Sequence, residues 1–197
     1  MKTSFSVSRS RVWSLTACIG MIAINAFAQM ITMTHTGVGS GTIGDAPFFD
    51  RTFTITEVAD TANRVSFSGG FSLDDSSASI AISGVGNFLF TSGTRTFVNN
   101  DIATVGFSRA GSQQQDLFNG PTDPVFSSWN MLSSIGPITG PGQILQWTFS
   151  PVTTDGGILI FNDAFTTVTF QATVVPEPSC IVMLLGGAVC WLRRRPS

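Results

Sequence analysis

Val168-Thr169-Phe170-Gln171-Ala172-Thr173-Val174 alternates an apolar with a polar side chain at every step. Successive side chains of a strand point to opposite faces, so the stretch reads as a strand with one buried and one wetted face. The same period of two recurs upstream. Phe53 and Ile55 show it, as do Val105 and Phe107, and again Leu145, Trp147 and Phe149. Ile80 and Ile82 continue in phase through Gly84 and Gly86 to Phe88 and Phe90. The intervening positions are mostly Ser, Thr or Gln, the pattern of antiparallel sheets with one face in the core.

Turn signals separate these runs: Asp74-Asp75-Ser76-Ser77, Thr91-Ser92-Gly93, Asn99-Asn100-Asp101 and Asp155-Gly156-Gly157. Ser68-Gly69-Gly70-Phe71 resembles a hairpin turn. Val65, Phe67, Phe71 and Leu73 nevertheless keep one parity, which predicts a single strand relieved by a glycine bulge. Residues 111–142 interrupt the alternation with four prolines, and Val125, Trp129 and Leu132 fall at helical spacing. A long excursion with one helical turn is expected there. About eight or nine short strands follow, which predicts an all-β fold, an antiparallel sandwich or jelly roll. No internal repeat is visible.

Charge is distributed unevenly. The only lysine is Lys2, and Arg9, Arg11, Arg193, Arg194 and Arg195 also lie near the ends. The interior has Arg51, Arg64, Arg95 and Arg109 against all twelve carboxylates. An acidic domain cannot release counterions from phosphate, so nucleic acid is excluded as a partner. Cys18, Cys180 and Cys190 fall in the two terminal apolar segments, leaving the central domain without disulfides or thiolate ligands.

The N-terminus has a basic start, an apolar stretch over residues 12–24, and Ala26-Phe27-Ala28. That is the order of a secretory signal peptide, with Gln29 as the first mature residue. At the other end, Val174-Val175-Pro176-Glu177-Pro178 precedes an apolar stretch over residues 179–192 and then Arg193-Arg194-Arg195. Two prolines close the folded domain. The apolar stretch, as a helix, is about 21 Å long, against a hydrocarbon core of roughly 30 Å. It can span only with local thinning, and its arginines should stay cytoplasmic. The expected organisation is a signal peptide over 1–28, a β-sandwich passenger over 29–174, and a tail over 175–197.

Val175-Pro176-Glu177-Pro178-Ser179, the apolar segment and the arginine triplet together resemble the PEP-CTERM sorting signal. The resemblance covers residues 175–197. It implies recognition by an exosortase, a membrane-embedded cysteine protease, after delivery by the general secretory machinery. It also implies processing near Pro176-Glu177-Pro178, transient residence in the inner membrane through the helix, and final placement at the cell surface or outside it, often alongside exopolysaccharide. Cys180 and Cys190 depart from the pattern and read as small apolar residues. Tails of this type also occur on some ice-binding proteins, but the passenger shows no regular threonine repeat that would extend the likeness to it.

The passenger offers little chemistry. His35 is the only histidine, sits in a polar stretch, and reads as a surface residue. One histidine without a nearby cysteine leaves most zinc sites out. Gly37-Val38-Gly39-Ser40-Gly41 lacks the ending of a phosphate loop and reads as flexible chain. Asp74 and Asp75, or Asp60 with Asn63, are the oxygen ligands that calcium would take. Turn aspartates also serve as local caps, so no cofactor is expected. A glycosidase would have to pair Glu57 with an aspartate. Trp129 is the ligand-binding candidate because it lies in the excursion, whereas Trp147 alternates with apolar neighbours and reads as core. The leading expectation is a non-catalytic exported surface or matrix protein. A carbohydrate-binding module and a secreted hydrolase are the alternatives.

Overall fold

The computed structural model describes residues 29–111, 115–147, 149, 151–162 and 167–175. The expected signal peptide, the sorting motif from Pro176 onward, and both terminal helices lie outside the described residues. Among the described residues, no helix is long and apolar enough to cross a membrane.

The architecture is two antiparallel sheets. The larger orders β10 (Ile135–Gly140), β14 (Val168–Val175), β1 (Met30–Ile43), β2 (Ala46–Asp60), β5 (Ser77–Ile82) and β6 (Gly86–Leu89). Its remaining strands are β12 (Val152–Thr154) and β13 (Gly157–Phe161), and β13 pairs with the far end of β1. The smaller sheet orders β11 (Gln143–Ile144), β9 (Asp116–Thr122), β8 (Thr104–Arg109), β7 (Thr94–Asn99), β4 (Gly70–Asp74) and β3 (Val65–Phe67). The all-β expectation holds, with more strands than the alternation suggested and with β1 and β2 far longer than the short strands expected.

β1 and β14 carry the quoted alternation into the core. Ile31 and Met33 from β1 and Val168, Phe170 and Ala172 from β14 are buried. The apolar interior has two parts. One gathers Phe53, Ile55, Ile80, Phe107, Phe118, Trp147 and Phe161. The other gathers Ile31, Met33, Leu73, Val98, Val105, Phe126, Trp129 and Phe170.

Several local expectations fail for identifiable reasons. Ser68 and Gly69 form a two-residue hairpin turn, with Phe67 opposite Gly70 and Val65 opposite Ser72. Gly69 holds φ of 95°, which a glycine adopts without steric cost. The single-strand reading assumed that Val65, Phe67, Phe71 and Leu73 share a face. In fact Leu73 is buried, while Val65 and Phe67 project outward and are exposed. Ile82 pairs with Gly86, so β5 and β6 are also a hairpin. A three-residue loop preserves parity, and phase alone cannot tell such a reversal from a continuous strand. Residues 37–41 are not flexible chain but part of β1. A side chain on Gly41 would run into the Ile160 carbonyl, so glycine lets β13 approach. Leu145, Trp147 and Phe149 do not lie on a regular strand: Trp147 is fully buried, whereas Phe149 is exposed. The excursion contributes β9 and β10 and one short helical turn at Pro124–Ser127. Helical spacing does not set its burial, since Phe126, Trp129 and Met131 are buried while Val125 and Leu132 are exposed.

Candidate functional site

Two places gather polar chemistry, one closed and one open. The closed one lies between the sheets. His35 on β1 and Glu57 on β2 are both fully buried, and His35 Nδ1 lies 2.9 Å from Glu57 Oε1. The expectation of a surface histidine is therefore wrong. His35 has the parity of Ile31 and Met33 and faces inward with them, and its threonine neighbours occupy the outer face. The His35 ring makes an edge-on contact with Phe118 and a tilted one with Phe170, touching one aromatic from each half of the core.

Burial lowers the His35 pKa from 6.5 to about 3 and raises that of Glu57 well above 4.5, against a smaller opposing effect of a backbone hydrogen bond to Glu57. Both shifts disfavour charge, because a lone ion in an apolar interior loses its hydration. The pair is thus a neutral hydrogen bond. Asp75, on the link between β4 and β5, lies near enough for Glu57 to affect its titration. Burial, and then the nearby Glu57, raise the Asp75 pKa, while hydrogen bonds from Thr94 and Thr96 oppose the rise. His35 Nε2, Glu57 Oε2 and Asp75 Oδ2 are buried without hydrogen-bond partners. The histidine and its carboxylate partner lie enclosed between the two sheets rather than in a cleft. No substrate reaches a pair with no exposed surface.

Asp74 and Asp75 do not form a calcium site. Asp74 pairs outward with Arg95 at 2.6 Å, whereas Asp75 turns inward and accepts from Thr96 Oγ1 at 3.4 Å. Asp60 caps the short turn at Thr61–Asn63 by accepting from the Ala62 N–H at 2.8 Å. Asp123 does the same for Val125 at 2.9 Å. Among the described residues, no three His, Cys, Asp or Glu side chains are grouped to hold a metal ion.

Trp129 is only 5 % exposed; it packs against Phe126 and Phe170, and its indole N–H donates to the Ser133 carbonyl at 2.9 Å. It has no open face for a ligand. Trp147 is enclosed as well and donates to the Leu159 carbonyl at 2.9 Å.

The open place is the outer face of the smaller sheet, where a groove encloses about 230 Å³. Val65, Phe67 and Phe97 supply its apolar surface, and Arg95, Asn99 and Asp116 supply polar groups. Phe97 lies over Gly106, where a side chain would collide with the ring, and Phe67 lies close over Gly70, where a side chain would first meet the Val98 carbonyl. Glycine thus lets each aromatic lie down on the sheet. Ser108 donates to Asp116 at 2.8 Å, and Arg95 is held by Asp74. Sequence reasoning missed this groove because it assigned Phe67 to the core. The signal available was the Ser68-Gly69 turn, which reverses the facing of Val65 and Phe67 relative to Leu73.

Gln29 and Val175 bound the described fold. Met30 on β1 pairs with Val175 on β14, so both ends of the domain leave from one end of one sheet. No protein-family model, no curated protein and no solved structure matches the chain.

Proposed function

We propose that this chain is an exported, non-catalytic surface or matrix protein, delivered by a signal peptide and sorted by an exosortase through a PEP-CTERM tail. The observation that carries this reading is the extent of the described β fold. Among the described residues, strand pairing runs from Met30, just past Ala26, Ala28 and the expected first mature residue Gln29. It reaches Val175, the residue before Pro176-Glu177-Pro178. Cleavage at either place leaves every described strand intact. The enclosure of His35 and Glu57 supports the non-catalytic part, since a general base must reach the proton it takes.

The test is mass spectrometry of protein recovered from the cell surface of an exosortase-containing host. Mature ends at Gln29 and near Pro176-Glu177-Pro178 are expected. An intact Arg193-Arg194-Arg195 terminus in all mature material would sink the proposal.

The groove favours a second reading, a saccharide-binding module. A half-open phenyl ring beside a guanidinium, an amide and a carboxylate can stack on a sugar's apolar face while bonding its hydroxyls. Phe67→Ala is then expected to weaken binding to a responsive soluble polysaccharide about tenfold, or about 1.4 kcal/mol. The melting curve should change little, because Phe67 is 41 % exposed. Unchanged binding would remove the groove from this reading.

A further inference from the structure

The outer face of the larger sheet has an unusual composition. On it, one row crosses four strands: Thr139 on β10 pairs with Thr169 on β14, Thr169 with Thr36 on β1, and Thr36 with Thr54 on β2. The next row along the strands places Thr34 beside Thr56 and Gln171. A third pairs Thr32 with Thr173. All of these side chains are half-buried or exposed and point away from the core. Two of the cross-strand hydroxyl pairs are hydrogen-bonded, Thr36 to Thr54 at 3.1 Å and Thr139 to Thr169 at 2.8 Å.

Strand geometry makes this an array with two repeats. Neighbouring strands stand about 4.8 Å apart, and residues two apart on a strand about 6.8 Å apart. Each threonine adds a methyl beside its hydroxyl, and its β-branch restricts rotation. Right-handed twist limits strict regularity to adjacent strands, here the long β14, β1 and β2.

The occupant follows from what the face lacks. Across residues 30–38, 52–58 and 168–175 the only formally charged side chain is Glu57, which points inward and is fully buried. Anions, metal ions and nucleic acid therefore find no counter-charge. No aromatic side chain faces outward there for a sugar to stack on, and of the Tyr, Trp, Met and Arg typical of protein interfaces only Met30 does, at the rim beside Val175. What remains is a fixed lattice of short hydroxyls and methyls, with spacings of the order of the oxygen repeats on a face of hexagonal ice. We infer that this face binds ordered water, the surface of an ice crystal. Hydroxyls join the water lattice, and the methyls sit over its voids.

The test uses the full chain produced in an exporting host, with uptake into a slowly growing ice front and inhibition of ice recrystallisation as readouts. Several-fold enrichment in ice over a control protein of similar size is expected. Thr34→Lys and Thr54→Lys should each abolish it while the melting curve stays unchanged, because both side chains face solvent. The Thr36→Val/Thr54→Val pair, which keeps the β-branched shape, should reduce it. A folded chain excluded from ice overturns the inference, and so does enrichment indifferent to all these variants. Retention on an insoluble polysaccharide that is lost in the same variants would assign the face to a polymer surface instead. A dimer dissociated by Thr34→Lys would assign it to self-association. Neither readout depends on how the tail is processed.

Discussion

Trp147→Ala is expected to destabilise the domain by about 3–5 kcal/mol, the range for truncating a large buried aromatic. The indole is fully buried, stacks on Phe107 and Phe118, and meets Phe161 edge-on. Its N–H also donates to Leu159, tying an irregular segment to β13. Alanine removes the packing against three rings and leaves a void that close-packed neighbours fill only in part. For a domain of this size the melting temperature should fall by something on the order of 10 °C. Phe149→Ala is the control. Phe149 is 87 % exposed, so its loss should stay within about 0.5 kcal/mol. Strict alternation would treat the two residues alike. Equal effects in chemical denaturation would refute the placement of Trp147.

The second large effect concerns His35 and Glu57, and it has a definite sign. His35 has its pKa lowered to about 3 from 6.5, so the unfolded chain takes up a proton below pH 6.5 that the folded chain refuses. Stability is therefore lost as pH falls from 6.5 toward 3, by up to about 1.4 kcal/mol per pH unit. Glu57 has its pKa raised above 4.5, so above that pH the unfolded chain releases a proton that the folded chain keeps. Its contribution is lost as pH rises from 4.5 through the folded value. Between 4.5 and 6.5 the two slopes oppose each other, and the pair should leave stability nearly flat there. Asp75 is raised in the same direction as Glu57 and adds to the alkaline limb.

Glu57→Gln keeps the shape and a hydrogen-bonding group but cannot ionise. Urea midpoints across pH should then rise relative to wild type on the alkaline side, with little change near pH 4. His35→Leu alone should cost about 1–3 kcal/mol, because it leaves a buried carboxyl without its partner. The His35→Leu/Glu57→Leu pair should recover much of that loss, since removing both partners can be nearly neutral. Asp75 leaves part of the alkaline limb in Glu57→Gln; a limb as steep as in wild type would show that the pair is not held neutral.

The legibility of the fold follows from period-two patterning, and so do its failures. Phe53, Ile55, Ile80 and Phe170 are buried as alternation demands, because burying one face is what holds such a strand in place. Alternation fixes facing only within a strand. Across Ser68-Gly69 the facing reversed and carried Phe67 outside. At His35 the parity was correct, but the residue type argued for the surface; only Glu57, twenty-two positions away, makes its burial tolerable.

By itself the sequence determined the β character and the acidic cysteine-free interior. These depend on composition and local order, which any fold must respect. Tertiary structure alone decided what faces what. It brought Glu57 to His35, laid Phe97 over Gly106, and set Thr36 between Thr169 and Thr54. The chain has no threonine repeat because the array is drawn from separate strands. Backbone hydrogen bonds between β14, β1 and β2 put those hydroxyls in register, and register between distant strands is not written in local sequence.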